Sequence, residues 1–349
     1  MVIQAPALVQ RNEDGKAPRL AIESIPVAQP GPHEILVKIS HVAQNPTDVQ
    51  AFDLNAFGDG TVLGCDFTGR VESVGEDATR AKKGDVIAGL VWGGEQVHLG
   101  AYSHYTLADE RISFKVPESI SAAQAATVPL ACATSWLALF SKDCLHIDRT
   151  RGKDVTVLIW GGSSSVGLYA IQIAAYYGFN VVTTSSPKNF DFVKSVGASN
   201  VFDHGDSKVV ADIKKVAPNL EYVFDTIGKP NSSTLASQAI KETGGVLCTV
   251  RPGKANTENV TKQTKVTDVL VWTAFLKDHQ YKEFHWPASK DDHELAAELF
   301  KNLPTWLEKG VIKPNVPKVL KGLEAIPEGF QEHRDGKISG YKIVYEIDN

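Results

Sequence analysis

The most constraining feature of this sequence is a short apolar run that leads directly into a glycine-rich loop. Residues Val155–Trp160 are all apolar or β-branched, as expected for a strand buried on both faces of a sheet. The loop Gly161–Gly167 follows, and Val166–Tyr177 then repeats apolar residues at the period of a helix. Glycines let backbone amides approach a pyrophosphate, and a helix N-terminus adds unpaired donors. The segment predicts a dinucleotide-binding unit, although Ser164 replaces the middle glycine of the usual motif.

The alternation of strands and helices continues to residue 250. The predicted strands are 179–184, 200–202, 222–225 and 245–250, and the predicted helices between them are 190–196, 209–216 and 234–241. Such strict alternation with short links is typical of an α/β fold with a doubly wound parallel sheet. The apolar pattern also predicts a helix at 295–309 and an alternating strand at 341–347.

The preceding part of the chain differs in character, which indicates a second domain. Residues 1–115 contain short apolar runs separated by glycines, as in a β-rich fold. The 349 residues suffice for two domains of roughly 100–200 residues each. Between the two parts, 119–141 lacks charges over a length that could span a membrane. Because Pro129 interrupts it and polar side chains are scattered through it, two buried helices are predicted, the first capped by Ser119 or Ser121.

Composition and charge exclude several classes of protein. Hydrophobic residues make up 43% and charged residues 22% of the chain, which is typical of globular domains and not of disordered or fibrous chains. The net charge of −5 does not indicate binding to nucleic acid or to an anionic membrane surface. The four cysteines form no CxxC pair, and no basic segment followed by an apolar one opens the sequence. A reducing, cytoplasmic location is therefore expected.

The region after the second predicted strand of this unit bears on which dinucleotide is bound. NAD-binding units usually place an acidic residue about 20 residues beyond the first glycine, on the ribose 2′-hydroxyl. Here no acid precedes Asp191, and the region instead offers Ser186, Lys188 and Asn189. Hydroxyl groups and a lysine suit a 2′-phosphate through hydrogen bonds and charge. The sequence favours NADPH over NADH; the alternative is that Lys188 is an ordinary solvated residue at a helix start.

Several further motifs, in their order along the chain, resemble those of a known superfamily. They are Asn45-Pro46-Thr47-Asp48, Gly64–Gly69, Gly84–Gly89, Gly100–Tyr105, Pro129–Trp136, Ser185–Asp191, Asp225–Gly228 and Ser339–Lys342. With the glycine-rich loop, they resemble the medium-chain dehydrogenase/reductase superfamily, in particular its zinc-free quinone oxidoreductases and the fungal enoyl reductases that serve polyketide synthases in trans. The resemblance implies a GroES-like β-rich catalytic domain (1–135 and 275–349), a Rossmann NADP(H)-binding domain (136–274) and an active site between them.

The resemblance also implies roles for individual residues of this chain. Asn45 and Thr134 are expected near the nicotinamide, Val250 along its ribose, and His204 at the adenosine end. Ser163–Val166 are expected to hold the pyrophosphate. Ser186, Lys188 and Asn189 are expected to bind the 2′-phosphate. The full cofactor-binding set is Asn45, Gly162, Ser163, Ser164, Ser165, Val166, Ser186, Lys188, Asn189, His204 and Val250. The implied catalytic residues are Gln50 and Thr134.

No metal site is expected from the sequence. Zinc-dependent members of the superfamily carry a cysteine near the Asn45–Asp48 segment, a Gly-His-Glu motif where this chain has Gly64-Cys65-Asp66, and a lobe of four closely spaced cysteines that is absent here. Cys65 and Asp66 alone cannot supply the three or four ligands of a zinc ion. We interpret Cys65 as a small residue of the core.

The reaction implied by this branch is reduction of the C=C bond of an apolar α,β-unsaturated carbonyl compound. Hydride from NADPH adds to the β-carbon, and the enolate takes a proton at the α-carbon. Relatives often place Lys or Tyr two residues after the aspartate of the Asn-Pro-x-Asp motif, where this chain has Gln50. An amide donates a hydrogen bond but is no general acid. Water is then one proton source, and His41, His104 and Tyr102 are other candidates; Gln50 is alternatively a surface amide.

This departure leaves two other functions open. One is reduction of an aldehyde or ketone with the same cofactor, and the other is NADPH binding without redox turnover. The expected partners are the apolar substrate and a polyketide synthase acting in trans, without nucleic acid or membrane, and the chain is expected to be a monomer or homodimer. Aromatic residues that either line the cleft or pack in the core are Trp272, Phe275, Tyr281, Phe284 and Trp286.

Overall fold

A computed structural model describes residues 4–13, 16–281 and 284–347, with the backbone alone for Tyr281 and Phe284. The strands are β1 (Gln4–Arg11), β2 (Arg19–Pro26), β3 (Glu34–Ala43), β4 (Asp66–Val74), β5 (Val86–Leu90), β6 (Tyr105–Asp109), β7 (Ser113–Lys115), β8 (Thr156–Trp160), β9 (Asn180–Ser185), β10 (Asn200–Asp203), β11 (Tyr222–Asp225), β12 (Gly245–Thr249), β13 (Thr264–Asp268), β14 (His279–Tyr281), β15 (Phe284–Trp286), β16 (Pro317–Lys321) and β17 (Lys342–Glu346). The helices are α1 (Pro46–Asp53), α2 (Ala122–Ala126), α3 (Pro129–Phe140), α4 (Ser165–Tyr176), α5 (Phe190–Ser195), α6 (Val209–Val216), α7 (Pro230–Gln238), α8 (Lys290–Glu308) and α9 (Ile326–Arg334).

The first sheet combines the N-terminal part of the chain with its C-terminal strands. Its order is β16-β17-β3-β4-β5-β7, with β6 also paired to β3. In β3, Ile35, Val37 and Ile39 are fully buried, because alternate residues of a strand point to the same face. Strand β17 pairs with β3 through Val344 and Ala43. The β-rich domain is therefore built from both ends of the described chain.

The second sheet is the predicted doubly wound parallel sheet. Its order is β10-β9-β8-β11-β12-β13, and all of its pairs are parallel. The strand order reverses between β8 and β11, and ligands of such sheets bind at that point, beyond the carboxyl ends of the strands. The α/β fold class is confirmed, with a GroES-like domain and a Rossmann domain. The boundaries expected at residues 135 and 275 stay a prediction.

Some elements differ from the sequence-based expectation. Helix α7 covers Pro230–Gln238 instead of 234–241, because Pro230 fits the first helical turn, where its missing N–H is not needed. Strand β13 was not predicted, since Thr264–Asp268 mixes polar and apolar residues. It adds an edge to the parallel sheet by pairing with β12.

The uncharged segment between the two sheets forms two helices, as predicted. Ser121 caps α2 in a capping box with Gln124, and every residue of α3 is buried. Ser135 on α3 donates to the carbonyl of Val166 over 2.7 Å, which ties α3 to the glycine-rich loop. Within the described residues, no helix has both the length and the apolar character required to cross a bilayer.

A buried ion pair joins the elements around the cleft. The side chains of Asp66 on β4 and Lys342 on β17 are 0% and 3% exposed, and Lys342 Nζ lies 2.6 Å from Asp66 Oδ2. The same oxygen accepts from Asn45 Nδ2 at 2.9 Å, and Asp66 Oδ1 accepts from the Leu130 amide at 2.7 Å. One carboxylate thus fixes β4, β17, the start of α1 and the start of α3 relative to one another.

We expect Lys342→Met to lower the free energy of unfolding by about 3–5 kcal/mol, because it leaves the Asp66 carboxylate buried without a counter-charge. Urea unfolding followed by tryptophan fluorescence measures this change. The control is Lys142→Met, which breaks the pair with Asp291 between two side chains that are 57% and 60% exposed; exposed pairs contribute about 1 kcal/mol or less. Equal effects of the two substitutions would contradict the prediction.

Candidate active site

Two adjoining cavities lie between the two sheets. The first, the loop-side cavity, has a volume of about 230 Å³ and is lined by residues of both domains. The second, the aromatic cavity, has a volume of about 210 Å³. The residues that line both are Thr47, Gln50, Pro252, Leu270 and Trp272. The two cavities therefore adjoin each other along one cleft.

The glycine-rich loop enters this cleft from the end of β8. A Cβ atom at Gly162 would lie 2.1 Å from Thr183 Oγ1, and one at Gly167 would lie 2.3 Å from the carbonyl oxygen of Gly161. Gly161 itself has φ of +88°, which favours glycine. A larger residue would strain the backbone at Gly161, collide with the backbone at Gly167 and displace the buried Thr183 side chain at Gly162, so the tight turn explains the glycines of the motif.

Ser164 fills the middle position of the motif without obstructing the loop. It is the N-cap of α4, and its Oγ accepts from the Gly167 amide at 2.9 Å. Thr226 Oγ1, from the end of β11, lies 2.8 Å from the same Oγ. The amides of Ser165 and Val166, in the first turn of α4, have no acceptor among the described residues. The loop thus presents free backbone donors and a helix N-terminus, which fit a pyrophosphate.

The residues predicted to recognise the 2′-phosphate lie at the ends of β9 and β10. Ser185 and Asp203 are paired across these strands, so the following residues, Ser186 and His204, are neighbours. Lys188 is exposed and makes no hydrogen bond or ion pair with the described residues. The side chain of His204 is 51% exposed and its Nδ1 lies 3.4 Å from Asp203 Oδ1. A lysine is therefore free at this edge.

Asn189 lies on the same stretch and faces the C-terminal part of the chain. A Cβ atom at Gly340 would lie 3.7 Å from Asn189 Oδ1. The region expected to bind the adenosine end is therefore bordered by both domains. The assignment of individual residues to the cofactor stays a prediction.

The residues expected near the nicotinamide line the loop-side cavity. Asn45, Thr134, Val166 and Val250 all contribute to it. The side-chain Nδ2 of Asn45 donates a hydrogen bond to Asp66. The hydroxyl of Thr134 donates over 2.8 Å to the carbonyl of Leu130, in the same helix. These two side chains are fixed by the protein itself.

Arg251 is a cleft residue that sequence reasoning missed. Its Nε donates to the carbonyl of Gly228 over 3.1 Å, and its Nη1 lies 3.4 Å from Gln50 Oε1 on the opposite domain. Asp225 holds the turn that carries this carbonyl, because its Oδ1 accepts from the amides of Ile227 and Gly228. The sequence feature that could have indicated Arg251 as a cleft residue is its position directly after Val250, at the end of a strand of the parallel sheet.

The aromatic cavity is walled by stacked rings. Trp92 and Trp272 stack with their centroids 4.7 Å apart and an interplanar angle of 4°. Phe57 packs edge-on against Trp92 at 6.0 Å, and Trp286 completes the lining. Leu54, 63% exposed, lies at the rim. This apolar, aromatic lining suits an apolar ligand. The side chains of Tyr281 and Phe284 lie outside the described residues.

None of the three alternative proton donors lines the cleft. Tyr102 is fully buried and donates to Asp48 Oδ2 over 3.2 Å. His41 lies on β3, its Nδ1 is 3.1 Å from Ser40 Oγ, and burial lowers its pKa. His104 is likewise absent from the lining of both cavities. The sequence alone could not show this, because it does not reveal on which side of a sheet a side chain lies.

The chain is similar to known proteins over most of its length. Residues 31–118 match the family described as "Alcohol dehydrogenase GroES-like domain", and residues 165–287 match "Zinc-binding dehydrogenase". A trans-enoyl reductase of Fusarium heterosporum is 34% identical over 322 residues, covering 90% of this chain and 91% of that protein. A zinc-type alcohol dehydrogenase-like protein of Schizosaccharomyces pombe is 33% identical over 345 residues, covering 96% and 98%.

The chain belongs to the medium-chain dehydrogenase/reductase superfamily, in its trans-enoyl reductase branch. Members of this superfamily are oxidoreductases that bind a nicotinamide cofactor. Solved structures share the fold. A putative zinc-dependent alcohol dehydrogenase of Rhizobium etli superposes with a TM-score of 0.81 at 24% identity, over 99% of both chains. The CurK enoyl reductase superposes with a TM-score of 0.77 at 19% identity, over 98% of this chain and 99% of the other.

The described residues do not fit the zinc ion of the superfamily's metal-dependent members. No group of three or more His, Cys, Asp or Glu side chains in the described ranges could hold a metal. Both oxygens of Asp66 are engaged by Lys342, Asn45 and the Leu130 amide. Cys65 is buried, and burial raises the pKa of its thiol, with a further increase from Asp48.

The burial of the Asp48 carboxyl group can be tested by measuring how stability depends on pH. Burial raises the pKa of its carboxyl to about 6, so between pH 4 and 6 the native protein binds a proton that the unfolded chain has lost. The contribution of Asp48 to stability therefore decreases as pH rises through this window. We expect the free energy of unfolding of Asp48→Asn, relative to wild type, to rise by about 2–3 kcal/mol from pH 4 to 7 in urea titrations.

Asp59→Asn is the control for this titration. A hydrogen bond from the Asn12 amide and the neighbouring Arg11 lower the pKa of the exposed Asp59. A lowered carboxyl pKa affects stability mainly below about pH 4, so removing that carboxyl should leave the relative free energy of unfolding nearly constant from pH 4 to 7. A pH-independent difference between Asp48→Asn and wild type would contradict the assignment.

Proposed function

We propose that this protein is an NADPH-dependent, zinc-independent reductase of the activated C=C bond in apolar α,β-unsaturated carbonyl compounds. The observation that carries the proposal is that the aromatic cavity adjoins the loop-side cavity, with shared lining residues that include Gln50 and Trp272. An apolar substrate in the first would meet a nicotinamide in the second. Relatives named as trans-enoyl reductases, at 33–34% identity, support this reaction.

The cofactor fits the donors that the loop presents. The free amides of Ser165 and Val166 would hold the pyrophosphate, and Ser186 and Lys188 would bind the 2′-phosphate through hydrogen bonds and charge. Val250 and Thr134 would border the nicotinamide. When bound, the reduced nicotinamide supplies a hydride.

The protein's own part in the reaction is to bind and orient the substrate. Hydride joins the β-carbon, the alkene electrons move to form an enolate, and the α-carbon takes a proton. The described lining of both cavities contains no Asp, Glu, His, Lys, Cys or Tyr side chain. We therefore propose water as the proton source. The amide of Gln50 would donate a hydrogen bond to the developing enolate oxygen.

The relatives also suggest the setting in which the enzyme works. Because several of them are named trans-enoyl reductases, we propose that its substrate comes from a polyketide synthase that it serves in trans. All four cysteines are free and buried, which supports a reducing, cytoplasmic environment.

The first test is the loss of NADPH absorbance with a panel of enals, enones and quinones, repeated with NADH. We expect substrate-dependent oxidation of NADPH, with saturated carbonyl compounds as products. Alcohol products would identify an aldehyde or ketone reductase instead. Tight NADPH binding without oxidation by any member of the panel would contradict the proposed reaction.

Cofactor preference gives a second test. We expect Lys188→Ala to reduce the ratio of kcat/KM for NADPH to that for NADH about tenfold, because one charge-assisted hydrogen bond to the 2′-phosphate is lost. Lys194→Ala removes another exposed lysine from the following helix and should leave the ratio unchanged. The same ratio in wild type and Lys188→Ala would exclude this role for Lys188.

A further inference from the structure

The contact between Arg251 and Gln50 joins the two walls of the cleft. Gln50 lies on α1 of the GroES-like domain, and Arg251 follows β12 of the Rossmann domain. Nη1 of Arg251 lies 3.4 Å from Oε1 of Gln50. Among the described residues that line the two cavities, Arg251 carries the single charged side chain.

The chemistry of this contact determines how the amide of Gln50 is oriented. A guanidinium group carries donors and no acceptor, so it can face the oxygen of an amide but not its NH₂ group. The NH₂ group of Gln50 must then point away from Arg251. It has no hydrogen-bond acceptor among the described residues, although Gln50 lines both cavities.

Arg251 is itself held in place by a second contact. Its Nε donates to the carbonyl of Gly228, in the turn fixed by Asp225. The amide Nδ2 of Asn256 donates to the same carbonyl over 2.8 Å. Arg251 is therefore anchored to the Rossmann domain at one end of its guanidinium and reaches Gln50 with the other.

We propose that Arg251 is a positioning residue that orients the Gln50 amide, so that its NH₂ group donates to the carbonyl oxygen of the substrate. As hydride joins the β-carbon, the C=C electron pair shifts to give an enolate whose negative oxygen accepts this hydrogen bond. The positive charge of Arg251 on the far side of the amide strengthens the donor. Water then protonates the α-carbon. This inference rests on the proposed reduction of unsaturated carbonyl compounds.

A double-mutant cycle on kcat/KM for an enone tests the coupling, using Gln50→Leu, Arg251→Met and the double variant. We expect Gln50→Leu to lower kcat/KM about 100-fold, as for other lost oxyanion donors, and Arg251→Met about tenfold. The double variant should be no slower than Gln50→Leu, because Arg251 acts through Gln50. Multiplicative effects of the two substitutions would overturn the proposal.

Asn256→Ala is the matched control for a purely structural role of Arg251. It removes a donor to the same Gly228 carbonyl but does not contact Gln50. We expect kcat/KM to stay within about twofold of wild type in this variant. A loss as large as that of Arg251→Met would show that Arg251 supports the turn and does not orient the amide.

A binding measurement keeps this inference separate from the proposed function. Quenching of tryptophan fluorescence reports the affinity of the protein–NADP⁺ complex for octan-2-one and for 2-methyloct-1-ene, which has a C=CH₂ group in place of the C=O group. We expect wild type and Asn256→Ala to prefer the ketone about tenfold, and Gln50→Leu and Arg251→Met to lose that preference. If wild type reduces no enone but shows this pattern, the proposed reaction fails and the amide orientation stands. An equal preference in all four proteins would overturn the orientation.

Discussion

The architecture of the cleft depends on one buried carboxylate. Asp66 receives the ammonium group of Lys342, the side-chain amide of Asn45 and the backbone amide of Leu130. A charge at 0% exposure is stable only when its lone pairs are satisfied, so these elements are bound to each other and cannot shift independently. Because Asn45 and Leu130 stand at the starts of α1 and α3, the same carboxylate sets the direction in which both helices enter the cleft.

The electrostatics of the cleft follow from this arrangement. The charges of Asp66 and Lys342 compensate each other, and the side chains of both are almost completely buried. The lining that remains is aromatic, aliphatic or neutral, apart from Arg251. In surroundings of low dielectric constant a single cation acts over a longer range than it does in water. Arg251 would therefore polarise the Gln50 amide more strongly than it could in water, and that amide would donate to a developing negative charge on a ligand.

The local features of this protein were predictable from the sequence, and the long-range ones were not. The loop Gly161–Gly167 lies between a strand and a helix as expected, because its turn is set by neighbouring residues. The motif resemblance also singled out Gln50 and Thr134, and both residues line the cleft. The pairing of Lys342 with Asp66 spans 276 residues, and the contact of Arg251 with Gln50 spans 201. No periodicity or spacing encodes contacts that form only after distant segments of one sheet, or the two domains, have packed together.

The contacts of the buried carboxylate also leave the side chain at position 50 free of any part in holding α1. Two hydrogen bonds hold the first turn of helix α1. The side-chain amide of Asn45 donates to Asp66, and the backbone amide of Asn45 donates to Asp48. Gln50 lies one turn further on and contributes nothing to these contacts. Its side chain can therefore change without moving the helix, and its orientation depends on the opposite wall of the cleft. The chemistry of the site is thus set where the two domains meet.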